Sequence, residues 1–292
     1  NKTIGAGTQA DWQDVINDGS SRGPVTNFDM LEPDLSAPGS NILAPFSGAY
    51  ASHVEQDLLS GTSMASPHVA GATLLMRSLF PTWTPAAIRS ALIMTANPDM
   101  KDSNSADATP FQMGNGRLDL NKAALTGLVM EETYAGYLAA SPDKGGDLRK
   151  LNIPSYQNSN CLGGCTFTRR VKSVSNQPAT YTVTVEKSAG VAITVTPATF
   201  TIPAGGTQLI TVNVTPTGDQ WQFGRIKFTT DARFSNNKKV SNTAMSLAVK
   251  GKVSGSTLPE ELRKNIGSAT GSHIFADQKN ALAITNMSNA NF

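Results

Sequence analysis

Gly61-Thr62-Ser63-Met64-Ala65-Ser66-Pro67-His68-Val69-Ala70-Gly71-Ala72 is the stretch whose reading decides this chain. Gly61 and Thr62 stand just before an apolar-periodic run, where a helix begins. From Ser63 onward, Ala65, Val69, Ala70, Ala72, Leu74 and Leu75 suit packed helix faces, and small residues among them allow close backbone approach. Pro67 is expected in the first turn or so, where a missing N–H costs little. A helix start leaves backbone N–H groups unpaired, and with the helix dipole they favour negative charge. A serine there is explained fully by helix capping. The same position also suits a nucleophile, because a tetrahedral oxyanion forming beside it would be stabilised.

The twelve residues together resemble the nucleophile motif of the subtilisin-like serine proteases, the subtilases. The resemblance extends to Ser20-Ser21-Arg22-Gly23-Pro24 and to Glu32-Pro33-Asp34-Leu35-Ser36-Ala37-Pro38-Gly39-Ser40-Asn41-Ile42-Leu43-Ala44. That segment is turn-rich and runs into a short apolar strand. Glu32 stands where many relatives carry a lysine. Thr84-Pro85 opens a further helix with a cap and a proline, continuing through Ile88, Ala91, Leu92 and Met94. Gly114-Asn115-Gly116-Arg117-Leu118-Asp119-Leu120, then Ala123 and Ala124, resembles the last helix of the family's catalytic domain. The ordered set spans residues 20–126.

The resemblance implies that Ser63 is the catalytic nucleophile and that its backbone N–H donates to the oxyanion. It also implies an aspartate and then a histidine far upstream of the serine. Only 62 residues precede Ser63. His53 lies in Tyr50-Ala51-Ser52-His53-Val54-Glu55, which does not match the family's histidine motif and reads as a loop. His68 falls inside the serine motif, where the family's histidine is structural, and His273 has no motif around it. Asp11, Asp14, Asp18 and Asp29 sit in polar, turn-like sequence, and Asp34 belongs to the structural Pro-Asp segment. The oxyanion-hole asparagine finds no match either. The chain is therefore expected to lack its triad histidine and aspartate and to be the C-terminal portion of a larger protease, nearly inactive alone.

Composition fits a protein of two domains with a tail. The net charge of +2 comes without a basic run, which speaks against nucleic-acid binding. No apolar stretch reaches the length of a membrane span. The start at Asn1-Lys2-Thr3, without Met, fits removal of a leader and upstream sequence. Cys161 and Cys165 enclose Leu162-Gly163-Gly164, and a local disulfide is favoured there. The alternative, the start of a metal site, lacks a second ligand cluster. Such a short loop steadies itself more than the fold, and the bond points to an oxidising compartment.

Near residue 130 the texture changes to short alternating strands. Phe167, Arg169, Val171 and Val174 fit one strand, and Tyr181–Val185, Val191–Thr196, Gln208–Val214, Gly224–Thr230 and Ala244–Lys250 fit others. Turn signals at Asn176-Gln177-Pro178, Pro203-Ala204-Gly205-Gly206 and Pro216-Thr217-Gly218-Asp219 separate several of them. A sandwich of about seven strands is expected. Leu151–Ser155, Thr166–Val171 and Ala179–Val183 resemble the fibronectin type III-like domain that follows the catalytic domain in many larger subtilases.

The reading is thus an α/β C-terminal part of a subtilisin-like parallel-sheet domain (residues 1–130), then an all-β fibronectin III-like sandwich (131–253), then a linker and the start of a further domain (254–292). Three Asn-x-Ser/Thr triplets occur, at Asn1, Asn213 and Asn286. The implied partners are a protein or peptide substrate and the missing N-terminal portion, with no nucleic acid and no membrane. No cofactor is identified; calcium is implied by the family resemblance only. The competing reading is a catalytically inert fragment in which the sandwich serves as a structural or protein-binding module. A fragment of an α/β layer would expose apolar surface.

Overall fold

Segments with period-two alternation and β-branched residues form the long strands of the sandwich. A computed structural model describes residues 13–46 and 55–251. His53, Asp11, His273, Asn1, Asn286 and the segment after residue 254 lie outside the described residues. The catalytic-like part gives strands β1 (Ile42–Phe46) and β2 (Glu55–Leu59). Its helices are α1 (Thr62–Leu79), α2 (Pro85–Met94), α3 (Pro110–Met113) and α4 (Leu120–Ala123). Beyond it come β3 (Leu128–Val129), α5 (Tyr134–Ala140), β4 (Ser155–Asn158), β5 (Cys165–Ser173), β6 (Ala179–Lys187) and β7 (Val191–Thr196). The series ends with β8 (Thr199–Ile202), β9 (Thr207–Pro216), β10 (Trp221–Thr229) and β11 (Thr243–Lys250).

Two sheets form the sandwich, one ordered β4-β11-β10-β6-β8 and the other β3-β5-β9-β7. All pairs are antiparallel except β11 with β4. On β5, Phe167, Arg169 and Val171 face inward while Thr166, Thr168 and Arg170 face out. On β9, Ile210, Val212 and Val214 are buried and meet Tyr181, Phe228 and Leu247 in one core. Each fully buried Phe, Leu, Ile or Val contributes about 1.5–3 kcal/mol. The six strands read from sequence are all present. β3, β4 and β8 add to them; at two to four residues they are too short for periodicity to show.

β3 stitches the helices to the sandwich. Successive strand side chains point to opposite faces. Leu128 enters the sandwich core, while its neighbour Val129 packs with Ala72, Met76, Ile88, Ala91, Leu92 and Ala123 from the helices. A second seam joins Leu31, Phe111 and Ala248. There the Phe111 ring meets Trp221 and Phe223 edge-on at 4.9 Å and 5.2 Å.

α2 forms as its sequence dictates. Thr84 Oγ1 accepts from the Ala87 N–H at 3.1 Å, and Pro85 occupies the first helical position. Ile88, Ala91, Leu92 and Met94 are all buried. The expected last helix is a single turn, α4, capped by Asp119 through the Lys122 N–H. Strand β1 starts at Ile42 as read, and it pairs with β2 as an antiparallel ribbon. The structure joins Cys161 to Cys165 as a disulfide with Cα atoms 5.3 Å apart.

Candidate active site

Ser63 is the second residue of α1 and is exposed. It is not the cap: Gly61 holds that position, and the helix start has no side-chain cap. The N–H groups of Met64 and Ala65 turn back to the Gly61 carbonyl. Those of Thr62 and Ser63 have no acceptor among the described residues, so they offer a pair of donors at the positive end of the helix. No acidic side chain in the first turn competes for them.

Pro67 lies deeper than the sequence suggested. With the helix starting at Thr62, it is the sixth helical residue. Its missing N–H deprives the Ser63 carbonyl of the usual i+4 donor.

His68 is not hydrogen-bonded to the Ser63 hydroxyl. Its Nδ1–H donates to the Met64 carbonyl of its own helix at 2.8 Å. The aspartates are also engaged elsewhere. Asp14 lies against Arg117, and Asp18 is 3.8 Å from Arg22. Asp29 Oδ1 accepts from the Ser159 N–H at 2.7 Å. Among the described residues, none of these is brought to Ser63 as a base or its orienter.

The environment of α1 differs from the packed helix that its sequence suggested. Only Ala72 and Met76 are buried, both against the α2 cluster. Leu74, Leu75 and Leu79 are 71%, 55% and 60% exposed. On the β1–β2 ribbon, Leu43, Phe46, Leu58 and Leu59 are also exposed. Apolar residues on a helix normally face a core. Here one face has that environment and the rest faces outward.

The loop that leads to Ser63 carries a charge cluster that sequence reasoning passed over. Arg89 of α2 donates to Asp34 Oδ2 through Nε at 3.1 Å and Nη2 at 2.6 Å. Glu32 shares the site. Burial, then the nearby Asp34 charge, raise its carboxyl pKa to about 8, against a smaller opposing effect of Arg89. Tyr137 of α5 faces the same cluster, and burial raises its hydroxyl pKa. Departure from the lysine of many relatives was the one sequence signal here.

The sign of the Glu32 effect follows from linkage. The folded state holds a proton that the unfolded state releases, so this contribution is full below about pH 4.5 and is lost as pH climbs to about 8. Glu32→Gln is expected to flatten that decline and to exceed the parent by about 1–3 kcal/mol at pH 9. Equal denaturation midpoints at pH 5 and pH 9 for parent and variant would contradict this.

Among the described residues, no group of three or more His, Cys, Asp or Glu is placed to hold a metal ion. No described helix is long and apolar enough to cross a membrane.

Comparison with known proteins agrees with these pieces. A model of the subtilase family matches residues 3–116, and one of the fibronectin type-III domain matches residues 150–243. Subtilisin-like protease SBT5.4 of Arabidopsis thaliana is 35% identical over 251 residues, covering 72% of this chain and 32% of the relative. SBT1.7 of the same plant is 37% identical, covering 61% of this chain and 28% of the relative. SBT2.5 is 32% identical, covering 71% and 31%. The chain thus spans about a third of the length of the curated relatives it matches.

Proposed function

Residues 3–116 belong to the subtilase family and residues 150–243 to the fibronectin type-III domains, and from that premise we propose that this chain is the nucleophile-bearing part of a secreted subtilisin-like serine endopeptidase. Ser63 Oγ attacks the scissile carbonyl of a protein or peptide substrate. Its proton passes to a histidine outside this chain, oriented by an aspartate also outside it. The developing oxyanion accepts from the Ser63 N–H. Collapse expels the amine, which takes the proton from the histidine, and water then hydrolyses the acyl-enzyme.

One observation carries the reading: Ser63 stands exposed at the start of a helix with unpaired N–H donors, while Leu74, Leu75 and Leu79 of that helix lie bare. The bare surface suits cover by the missing N-terminal portion, the same piece that would bring the base. The domain division we propose is 1–130, 131–253 and 254–292, with Cys161–Cys165 as a local staple of the second.

Covalent labelling of Ser63 by an active-site-directed fluorophosphonate tests the proposal. Strong labelling of the isolated chain would contradict it. A second reading, an inert sandwich module, is favoured by the extensive buried core that residues 128–249 form, with Met94 of α2, among the described residues, the one buried member from outside them. Absence of labelling even when the upstream subtilase portion is supplied would favour that reading.

A further inference from the structure

One buried side chain links the sandwich to the turn that presents Ser63. Asn115 is 1% exposed. It sits between Gly114 at φ +64° and Gly116 at φ +124°. A Cβ on Gly114 would meet the Asp34 carbonyl oxygen at 2.4 Å, and one on Gly116 the Asn97 carbonyl oxygen at 2.1 Å. Neither position takes a side chain, so the chain can pass this close only as Gly-Asn-Gly.

Asn115 Nδ2 donates to the Ile93 carbonyl in α2 and to the Ala244 carbonyl in β11, both at 2.7 Å. Its Oδ1 accepts from Ser246 Oγ of β11 at 2.6 Å. Its carbonyl accepts from Arg225 Nη1 of β10 at 2.8 Å. The Asn115 N–H donates to the Asp34 carbonyl at 2.9 Å.

From there the bonds continue along the backbone. The Ser36 N–H donates to Gly116 and the Leu118 N–H to Ser36, each at 2.8 Å. The Gly61 N–H donates to the Gly39 carbonyl at 2.8 Å. Gly39 also presses on the first turn of α1, where an added Cβ would meet the Gly61 carbonyl oxygen at 2.7 Å. Residues 34–39 thus form a strap, held at one end by the 114–118 turn and holding the helix cap at the other.

We propose that Asn115 is a positioning residue through which the sandwich fixes the turn that presents Ser63. The sandwich is then part of the site's framework rather than a spacer. The word "site" rests on the nucleophile reading; the mechanical coupling does not, and its test reads no catalysis.

Ser246→Ala removes the hydroxyl that fixes the Asn115 amide and leaves the β11 ladder intact. Amide hydrogen exchange at Gly61 and Ser36 should quicken about tenfold, the equivalent of losing one buried hydrogen bond locally. Asn115→Asp, which loses the donors to Ile93 and Ala244, should show the same pattern. The control is Ile202→Val on β8, separated from β11 by β10 and β6. It should weaken the sandwich without quickening those two amides. Unchanged exchange at Gly61 in Ser246→Ala, or equal acceleration in the control, would overturn the proposal. Failure of fluorophosphonate labelling would leave this result untouched, and the reverse holds too.

Discussion

In the isolated chain, Ser63 should react with a fluorophosphonate no faster than an ordinary exposed serine. A serine hydroxyl is a weak nucleophile without an adjacent base. In a subtilisin-type triad, loss of the histidine alone costs about a millionfold in turnover, and further losses add little because the three groups act as a unit. Among the described residues no histidine or aspartate is hydrogen-bonded to Ser63: the His68 ring bonds the Met64 carbonyl of its own helix, and Asp14, Asp18 and Asp29 have other partners. Supplying the upstream portion should restore labelling, and Ser63→Ala in that assembly should abolish it. Rapid labelling of the isolated chain, lost in Ser63→Ala, would mean that a base exists within these residues.

The second large effect concerns the sandwich. Arg169 is 2% exposed. Its Nε donates to the Ile153 carbonyl at 2.8 Å and Nη2 to the Ser155 carbonyl at 2.7 Å. Nη1 reaches the carbonyls of Arg149 and Thr168 at 3.0 Å and 2.9 Å. The guanidinium stacks 4.7 Å over the Tyr156 ring. Burial pulls its pKa down to about 10, still well above neutrality. Arg169→Met keeps much of the volume and removes every donor. Carbonyls left without partners in a core each cost about 1–3 kcal/mol. The variant should lose about 4 kcal/mol or more, which is exceptional for one substitution. The corresponding fall in melting temperature is roughly 10 °C. A loss under about 1 kcal/mol, typical of surface positions, would show that water takes over these carbonyls.

Arg169 also shows what the sequence carried. Its strand was legible because Phe167, Arg169 and Val171 alternate with polar neighbours. Its inward direction follows from the same period. Its partners do not, because Ile153 and Ser155 arrive from a separate segment. The helix α2 was legible because cap, proline and apolar spacing all agree locally. β3 was not, since two residues show no period and its pairing with Lys172 and Ser173 is long-range.

At the site, the helix and its serine were legible, but three properties were not. Pro67 was placed in the first turn or so, although with the helix starting at Thr62 it is the sixth helical residue. Leu74 and Leu75 read as packed, since their apolar run suits packed helix faces, yet both are exposed. Asn115 read only as part of the segment resembling the family's last catalytic-domain helix, and its partners in β11 lie about 130 residues away.

The bare face of α1 is where the account is most exposed to test. Hydroxyl-radical footprinting should modify Leu74, Leu75 and Leu79 heavily in the isolated chain, while Ile210 and Val212 of the sandwich core stay near background. When the upstream subtilase portion is bound, those three leucines should fall to the level of the core. Equal modification of α1 with and without that portion would contradict the claim that this chain holds a nucleophile whose cover and base come from elsewhere in the protease.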